Sequence, residues 1–442
     1  MKNKVDMVNG PLLKNIIRFS VPVILTGILQ LLFNACDMVV VGSYAGSNAL
    51  AAVGSTTSLT NLFVNTFMGL SIGANVITAY SLGAKEEKRT EKIVHTAVTI
   101  SVLCGVLLAI IGVIGCEWCL EAMGSPEEVL HLSVLYMRIY FLGLPAMMLY
   151  NFCAAILRAQ GKTIQPLIFL SIAGVVNVVL NLLLVVKFQM SVAGVAIGTI
   201  ASQVVSAILI VMYLMKVDGP CRLKLKKLGI DKNVLGNIFR IGIPAGINSM
   251  VFSFANIQIQ SAINMFGASA MAGSTAAASL EGFVYTSMNA IHQAAINFTG
   301  QNVGAAKEER VPKILKTCIL CVSAVGIVLG AFVYGFGEDL LSLYTDSGED
   351  IRYGMIRLKL VVIPYLVCGQ MEVILGVIRG LGYSIMPTIV SLIGACGLRI
   401  LWIATIFKMM PSLEMLFITY PISWLITTVA HFICYTIVTK KG

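Results

Sequence analysis

Apolar runs long enough to cross a lipid bilayer follow one another along almost the whole of this 442-residue chain. A spanning helix needs about 20 consecutive, mostly apolar residues. Twelve candidate spans meet that length, at about 15–41, 49–80, 92–117, 128–157, 164–186, 192–215, 235–264, 270–302, 313–336, 351–378, 385–408 and 413–438. The expected fold class is therefore an all-α integral membrane protein with twelve transmembrane helices. Several runs exceed the minimum, so tilt or extension past the membrane is expected.

Composition supports the same reading. Hydrophobic residues make up 57% of the chain and charged residues 12%, with a mean hydropathy of +0.89. Soluble domains are about 25% charged. These values exclude a cytosolic enzyme, a secreted disulfide scaffold and a disordered protein. The start, Met1 to Gly10, is polar, and the first apolar run is far longer than a signal-peptide core, so no cleaved leader is expected. The 11 cysteines mostly sit inside apolar runs, as small hydrophobes. Cys116/Cys119 and Cys318/Cys321 have CxxC spacing, but neither pair has a second pair or a histidine at zinc spacing, and both read as packing residues.

The formal charge of +10 points to topology rather than to nucleic acid, because the bases fall in short loops. Loops on one side carry 22 lysines and arginines, among them Lys2, Lys4, Lys85, Lys162, Lys227, Lys313 and Lys441. The other side carries Lys187, Arg352 and Lys408, together with acids such as Glu117, Glu121, Glu349 and Asp350. The basic side is expected in the cytoplasm, with both termini inside. Trp118, Trp402 and Trp424 fall near span ends, where an indole suits the interface.

The chain also repeats itself. Ile17-Arg18-Phe19-Ser20-Val21-Pro22 matches Phe239-Arg240-Ile241-Gly242-Ile243-Pro244, and Arg158-x-x-Gly161-x-x-x-x-Pro166 matches Arg379-x-x-Gly382-x-x-x-x-Pro387. Gly83-Ala84 matches Gly304-Ala305 at the same spacing. Two six-helix lobes, 1–215 and 235–442, are expected, joined by a basic cytoplasmic linker at 216–234. Six spans is an even number, so the lobes share one orientation and a pseudo-two-fold axis runs along the membrane normal. Such repeats are typical of alternating-access transporters with the substrate site between the halves.

An ionised side chain at the bilayer centre costs about 2.5–3.5 kcal/mol on insertion scales, so acids deep in the spans are informative. They are Asp37, Glu281 and Glu372. Asp37 lies late in the first span with Asn34 one turn before it. Asn177 and Asn181 share one face of the fifth span, and must turn to the bundle interior. The sixth span carries Gly194-x-x-x-Gly198-Thr199-x-x-Ser202-Gln203, whose small residues allow close packing. Glu281 admits two readings: it lines a cavity and attracts a cation, or it pairs with a buried base such as Arg399, Arg357 or Lys359. Glu372 is expected in a structural pairing or gating role. His292 and His431 lack partners at metal spacing and read as packing or network residues.

These features together resemble the multidrug and toxic compound extrusion (MATE) transporters, in particular their bacterial DinF-like branch. The resemblance rests on Arg18-x-x-x-Pro22, on Asp37-x-x-x-x-Gly42, on Gln301-Asn302-Val303-Gly304-Ala305 and on twelve spans in two halves. It implies a V-shaped pair of lobes that exports amphipathic, often cationic compounds against an inward flow of protons or sodium. The family's N-lobe ion site resembles the set Asp37, Asn177, Asn181 and Thr199, to which Asn34 is added here. Many members carry a second acid where this chain has Asn181, which leaves Asp37 as the one titratable group of that lobe. The candidate substrate cavity is Glu281, Gln293, Asn256 and Met288; Asn256 stands near where some members place an acid.

The expected function is a secondary antiporter of small organic molecules in the bacterial inner membrane, acting as a monomer without cofactor or nucleic acid. A proton is favoured over sodium. Sodium prefers several oxygens with negative charge among them, and one carboxylate with neutral amides supplies little. The runner-up is a lipid-linked glycan flippase, which usually shows more cavity-facing bases and often extra spans. A membrane prenyl transferase would need clustered acids for magnesium and pyrophosphate, and the only close cluster, Asp346 to Asp350, lies in an outer loop. An ATP-driven pump would need a nucleotide-binding domain.

Overall fold

The computed structural model describes residues 4–122 and 127–441; Lys2, counted above with the basic loops, lies outside them. No strand occurs among the described residues. The first half runs α1 (Leu12–Tyr44), α2 (Ser47–Gly83), α3 (Glu87–Ala122), α4 (Glu127–Leu142), α5 (Leu144–Ala159), α6 (Ile164–Asn181) and α7 (Ser191–Lys216). The second runs α8 (Lys232–Asn264), α9 (Ala268–Gly304), α10 (Val311–Gly335), α11 (Gly337–Ser342), α12 (Gly348–Arg357), α13 (Tyr365–Gly380), α14 (Ile385–Ser391), α15 (Leu398–Trp402), α16 (Leu413–Phe417) and α17 (Thr419–Lys441). Several α segments are continued by π-helical turns, at Leu182–Lys187, Leu358–Val362, Leu392–Gly397 and Ile403–Phe407.

Nine stretches among the described residues are long and apolar enough to span a membrane, and two bent pairs bring the number to 11. The pairs are α4 with α5, bent by 47°, and Gly348–Val362 with α13, bent by 43°. Each bend sits beside a proline, Pro145 or Pro364, which lacks the N–H that would continue the helix. The remaining expected span is α9. It is a 37-residue helix, but it is too rich in Ala, Ser, Gly, Thr and Asn to pass on composition. The reason is its position. Packed against α10, α12 and α13, it buries almost every residue from Ala290 to Asn302. A helix that protein covers on most sides faces little lipid, and small residues let its neighbours approach.

Packing divides the chain into two units within α1 and α8 rather than at the linker: Leu25–Gly242 packs as one, and Asp6–Ile24 with Ile243–Gly442 as the other. In the second unit the N-terminal segment is held by the end of α9 and the turn after it. Asn302 Nδ2 donates to Met7 O at 2.9 Å, and Lys307 Nζ to Asn9 Oδ1 at 2.6 Å. In the first unit the linker after α7 is docked rather than loose. Val217, Cys221 and Leu223 are buried. Lys224 and Lys227 reach Glu91 of α3 at 3.2 and 2.9 Å, and Lys92 reaches Asp231 at 2.9 Å.

Candidate functional site

In the first unit α1 carries Asp37 to where α6 and α7 lie side by side. The carboxylate is 8% exposed. Its Oδ1 accepts a hydrogen bond from Asn181 Nδ2 at 2.5 Å, and its Oδ2 accepts one from Thr199 Oγ1 at 3.2 Å. Asn181 Nδ2 also donates to Asn177 Oδ1 at 3.4 Å, so the two asparagines meet one turn apart on α6. Both are buried. No base pairs with Asp37 among the described residues. A buried carboxylate served only by neutral donors is a poor structural element, because desolvation is offset by hydrogen bonds alone. It suits a group that gives up its charge by taking a proton or meeting a cation.

Two close approaches make room for this arrangement. A Cβ on Gly198 would strike the side-chain oxygen of Asn181, and one on Gly174 would run into the ring of Phe33. The small residues of α6 and α7 therefore let α1 and the asparagine amides come together. The side-chain oxygen of Asn181 is buried and has no hydrogen-bond partner, an acceptor left open beside Asp37.

The structure brings Asp37, Asn177, Asn181 and Thr199 together as the resemblance implied, and leaves Asn34 out. Asn34 is exposed, and it hydrogen-bonds none of the four. Residues three apart on a helix are offset by about 60°, and the packing of α6 and α7 turns only Asp37 inward. Tyr136 and Tyr140 of α4 were missed. Their rings stack with centroids 6.1 Å apart, in the apolar cluster that also takes in Val40 and Val41 of α1. Nothing local in the sequence marks a tyrosine on one span as a neighbour of residues on another.

In the second unit Glu281 takes the second of its two readings. Arg357 donates from Nε to Oε1 at 2.7 Å and from Nη2 to Oε2 at 2.9 Å. Both residues are buried, and Arg357 also lies over the Phe417 ring. A carboxylate held bidentately by a guanidinium has no free charge to offer a cation. Met288 is 2% exposed and packs against Gly369; Asn256 is exposed on α8; Gln293 is partly buried, its backbone oxygen accepting from Asn297. Glu372 meets His292: His292 Nδ1 lies 2.5 Å from the backbone oxygen of Glu372 and 3.6 Å from its carboxylate. His431 Nε2 contacts Ser391 Oγ and Pro387 O, both at 3.1 Å. The described residues hold no group of three or more His, Cys, Asp or Glu able to bind a metal.

The MatE family model matches residues 22–183 and again 244–405. The chain is 28% identical over 432 residues to a probable multidrug resistance protein, YoeA, of Bacillus subtilis strain 168, covering 96% of this chain and 93% of that protein. It is 22% identical to the multidrug export protein MepA of Staphylococcus aureus, covering 89% of this chain and 87% of that one. Among solved structures, the outward-facing conformation of a multidrug resistance MATE family transporter of the MOP superfamily superposes with a TM-score of 0.92 at 21% identity, over 100% of this chain and 99% of that chain. A MOP superfamily transporter from Pyrococcus furiosus superposes with a TM-score of 0.92 at 20% identity, over 99% of this chain and 98% of that chain.

Proposed function

The chain belongs to the MatE family of membrane transporters, and on that premise we propose that it is a secondary antiporter that exports amphipathic, often cationic organic compounds, coupled at Asp37. The relatives YoeA and MepA carry the names of multidrug resistance and export proteins, which supports efflux over glycan flipping. The chain acts as a monomer in a bacterial inner membrane, with both termini and the linker in the cytoplasm, as the basic loops favour.

The observation that carries the coupling is the Asp37 carboxylate, buried, unpaired by any base among the described residues and held by Asn181 and Thr199. A proton is the coupling ion this set suits best. Protonation removes a charge that the membrane interior disfavours, and the helices around it can then repack and release the compound. Sodium would draw on one carboxylate and the neutral oxygens of Asn177, Asn181 and Thr199, a weaker set for a hard cation. Dye efflux from proteoliposomes, with proton and sodium gradients imposed separately, tests both parts. Asp37→Asn, fixed in a neutral form, is expected to abolish gradient-driven efflux while inserting normally. Full activity of that variant would remove Asp37 from the mechanism, and wild-type efflux that follows sodium and ignores pH would change the ion.

A further inference from the structure

The linker between α7 and α8 has two unlike sides, and the coupling step uses neither. Its inner side is pinned to the first unit. Val217, Cys221 and Leu223 are buried. Leu223 N donates to Leu214 O and Lys224 N to His95 Nε2, both at 3.0 Å. Its outer side carries three large apolar residues, Leu225, Leu228 and Ile230, which are 54, 42 and 46% exposed. Bases stand among them. From Lys216 to Lys232 the chain has six bases and two acids, so a positive charge remains even if every acid there is paired. Lys224 and Lys227 share Glu91, and Asp231 is taken by Lys92. Arg222, Lys226 and Lys232 are exposed and pair with no acid among the described residues.

The place where the linker crosses α3 fixes its depth. Asp231 accepts from Lys92 Nζ, and its own N–H donates to Thr96 Oγ1 at 3.1 Å. Lys92 and Thr96 are one turn apart on one face of α3. Residues a heptad apart on a helix drift by only about 20°, so Leu103 and Ile110 continue the line of Thr96. Leu103, Leu107, Ile110 and Ile114 are all exposed, which makes this the stripe that α3 turns to lipid. Seven residues at a rise of 1.5 Å are about 10 Å. The linker therefore lies across the lipid-facing stripe about 10 Å from Leu103 toward the basic end of the helix, at the depth of headgroups rather than of acyl chains.

We propose that the docked linker seats acidic phospholipid headgroups of the leaflet it borders. Leu225, Leu228 and Ile230 enter the boundary between headgroups and acyl chains, as the apolar residues of interfacial segments do. Arg222, Lys226 and Lys232 meet the phosphates, and a cluster of bases beside a spanning helix has this preference for anionic lipid. Three apolar side chains among bases make a small patch for a soluble protein, whose stable interfaces take about 20–30 residues a side. The lipid-facing stripe of α3, by contrast, runs directly into it.

The test uses the purified full-length protein in nanodiscs, with Leu228→Trp as reporter and the wild type subtracted for Trp118, Trp402 and Trp424. Brominated phosphatidylglycerol or brominated phosphatidylcholine is supplied at equal mole fraction as quencher. The added signal is quenched by both lipids, and by phosphatidylglycerol about twofold or more strongly at low salt. The difference shrinks as salt is raised, and it disappears when Lys226→Gln and Lys232→Gln are added. Equal quenching by the two lipids at low salt, or a difference that survives both substitutions, overturns the acidic-lipid seat. Emission at the wavelength of water-exposed tryptophan with no quenching overturns it too, and leaves the face to a soluble partner. If the substituted protein does not fold, the two-lipid contrast and its salt dependence decide alone. Quenching is read without gradient or substrate, so its failure leaves the efflux reading untouched.

Discussion

Asn181 donates a hydrogen bond from Nδ2 to Oδ1 of Asp37 at 2.5 Å, while its own side-chain oxygen is buried beside the same carboxylate with no partner. One amide can therefore serve both states of the acid. It donates to the ionised form and, turned over, accepts the O–H of the protonated form. Losing such a partner of a charged group costs about 1.5–3 kcal/mol. Asn181→Leu is expected to lower pH-driven efflux by about tenfold to a hundredfold. Wild-type efflux in Asn181→Leu would place Asn181 outside the coupling step.

Glu281 and Arg357 form a bidentate pair in which both partners are buried. Breaking a buried pair on one side leaves the other charge uncompensated, at about 3–5 kcal/mol. Glu281→Gln is expected to reduce thermal stability and yield, and to lower export of cationic and neutral dyes alike. Glu281→Gln combined with Arg357→Met should recover much of the stability, since no lone charge remains. A selective loss of cationic dyes, at normal stability, would restore the cavity reading.

The sequence showed some of these relationships and not others, for physical reasons. Asp37, Asn177 and Asn181 stand out because lipid makes any polar group on a span conspicuous, and the spacing of four puts both amides on one face. Thr199 came from the family resemblance, since a threonine in a small-residue span has no signature of its own. Asn34 misled because helical spacing gives neighbours on a surface but not which of them turns inward. The partner of Glu281 was narrowed to three bases, and only the approach of α12 to α9 selects Arg357. Arg399, another of those three bases, instead lies against the rings of Phe252 on α8 and of Tyr420 and Trp424 on α17, far apart in sequence.

Gly198 lies where a Cβ would meet the Asn181 amide. Gly198→Ala adds one methyl to a packed interface, which costs about 1–3 kcal/mol if neighbours must move. The neighbour that must move here is the Asn181 side chain. The variant is expected to insert and bind dye, but to show reduced pH-driven efflux in proteoliposomes. Gly115→Ala, with nothing near its Cβ, serves as the control and should match wild type. Equal behaviour of the two variants would show that Asn181 has room to adjust.

The last prediction concerns the docked linker. Asp231 accepts from Lys92 Nζ at 2.9 Å and caps α8 through Oδ1, which takes the N–H groups of Asn233 and Val234, both at 3.1 Å. The Lys92 ammonium, and then the Val234 N–H, hold its carboxyl below the usual carboxylate range. A lowered value in the folded protein means that the contact stabilises the dock fully at neutral pH. That contribution is lost as pH falls through the lowered value, below the ordinary carboxyl range of about 4. Protection of the 224–234 amides against hydrogen exchange, relative to their intrinsic rates at each pH, is expected to stay high in the full-length protein from neutral to mildly acidic pH and to fall below it. Asp231→Asn keeps a capping oxygen but loses the charge, so its exchange should be faster at neutral pH and lack the acid step. Asp231→Ala loses the cap as well, and should in addition fray the first turn of α8. An acid step retained in Asp231→Asn would assign the transition to another group, such as Glu91 opposite Lys224 and Lys227.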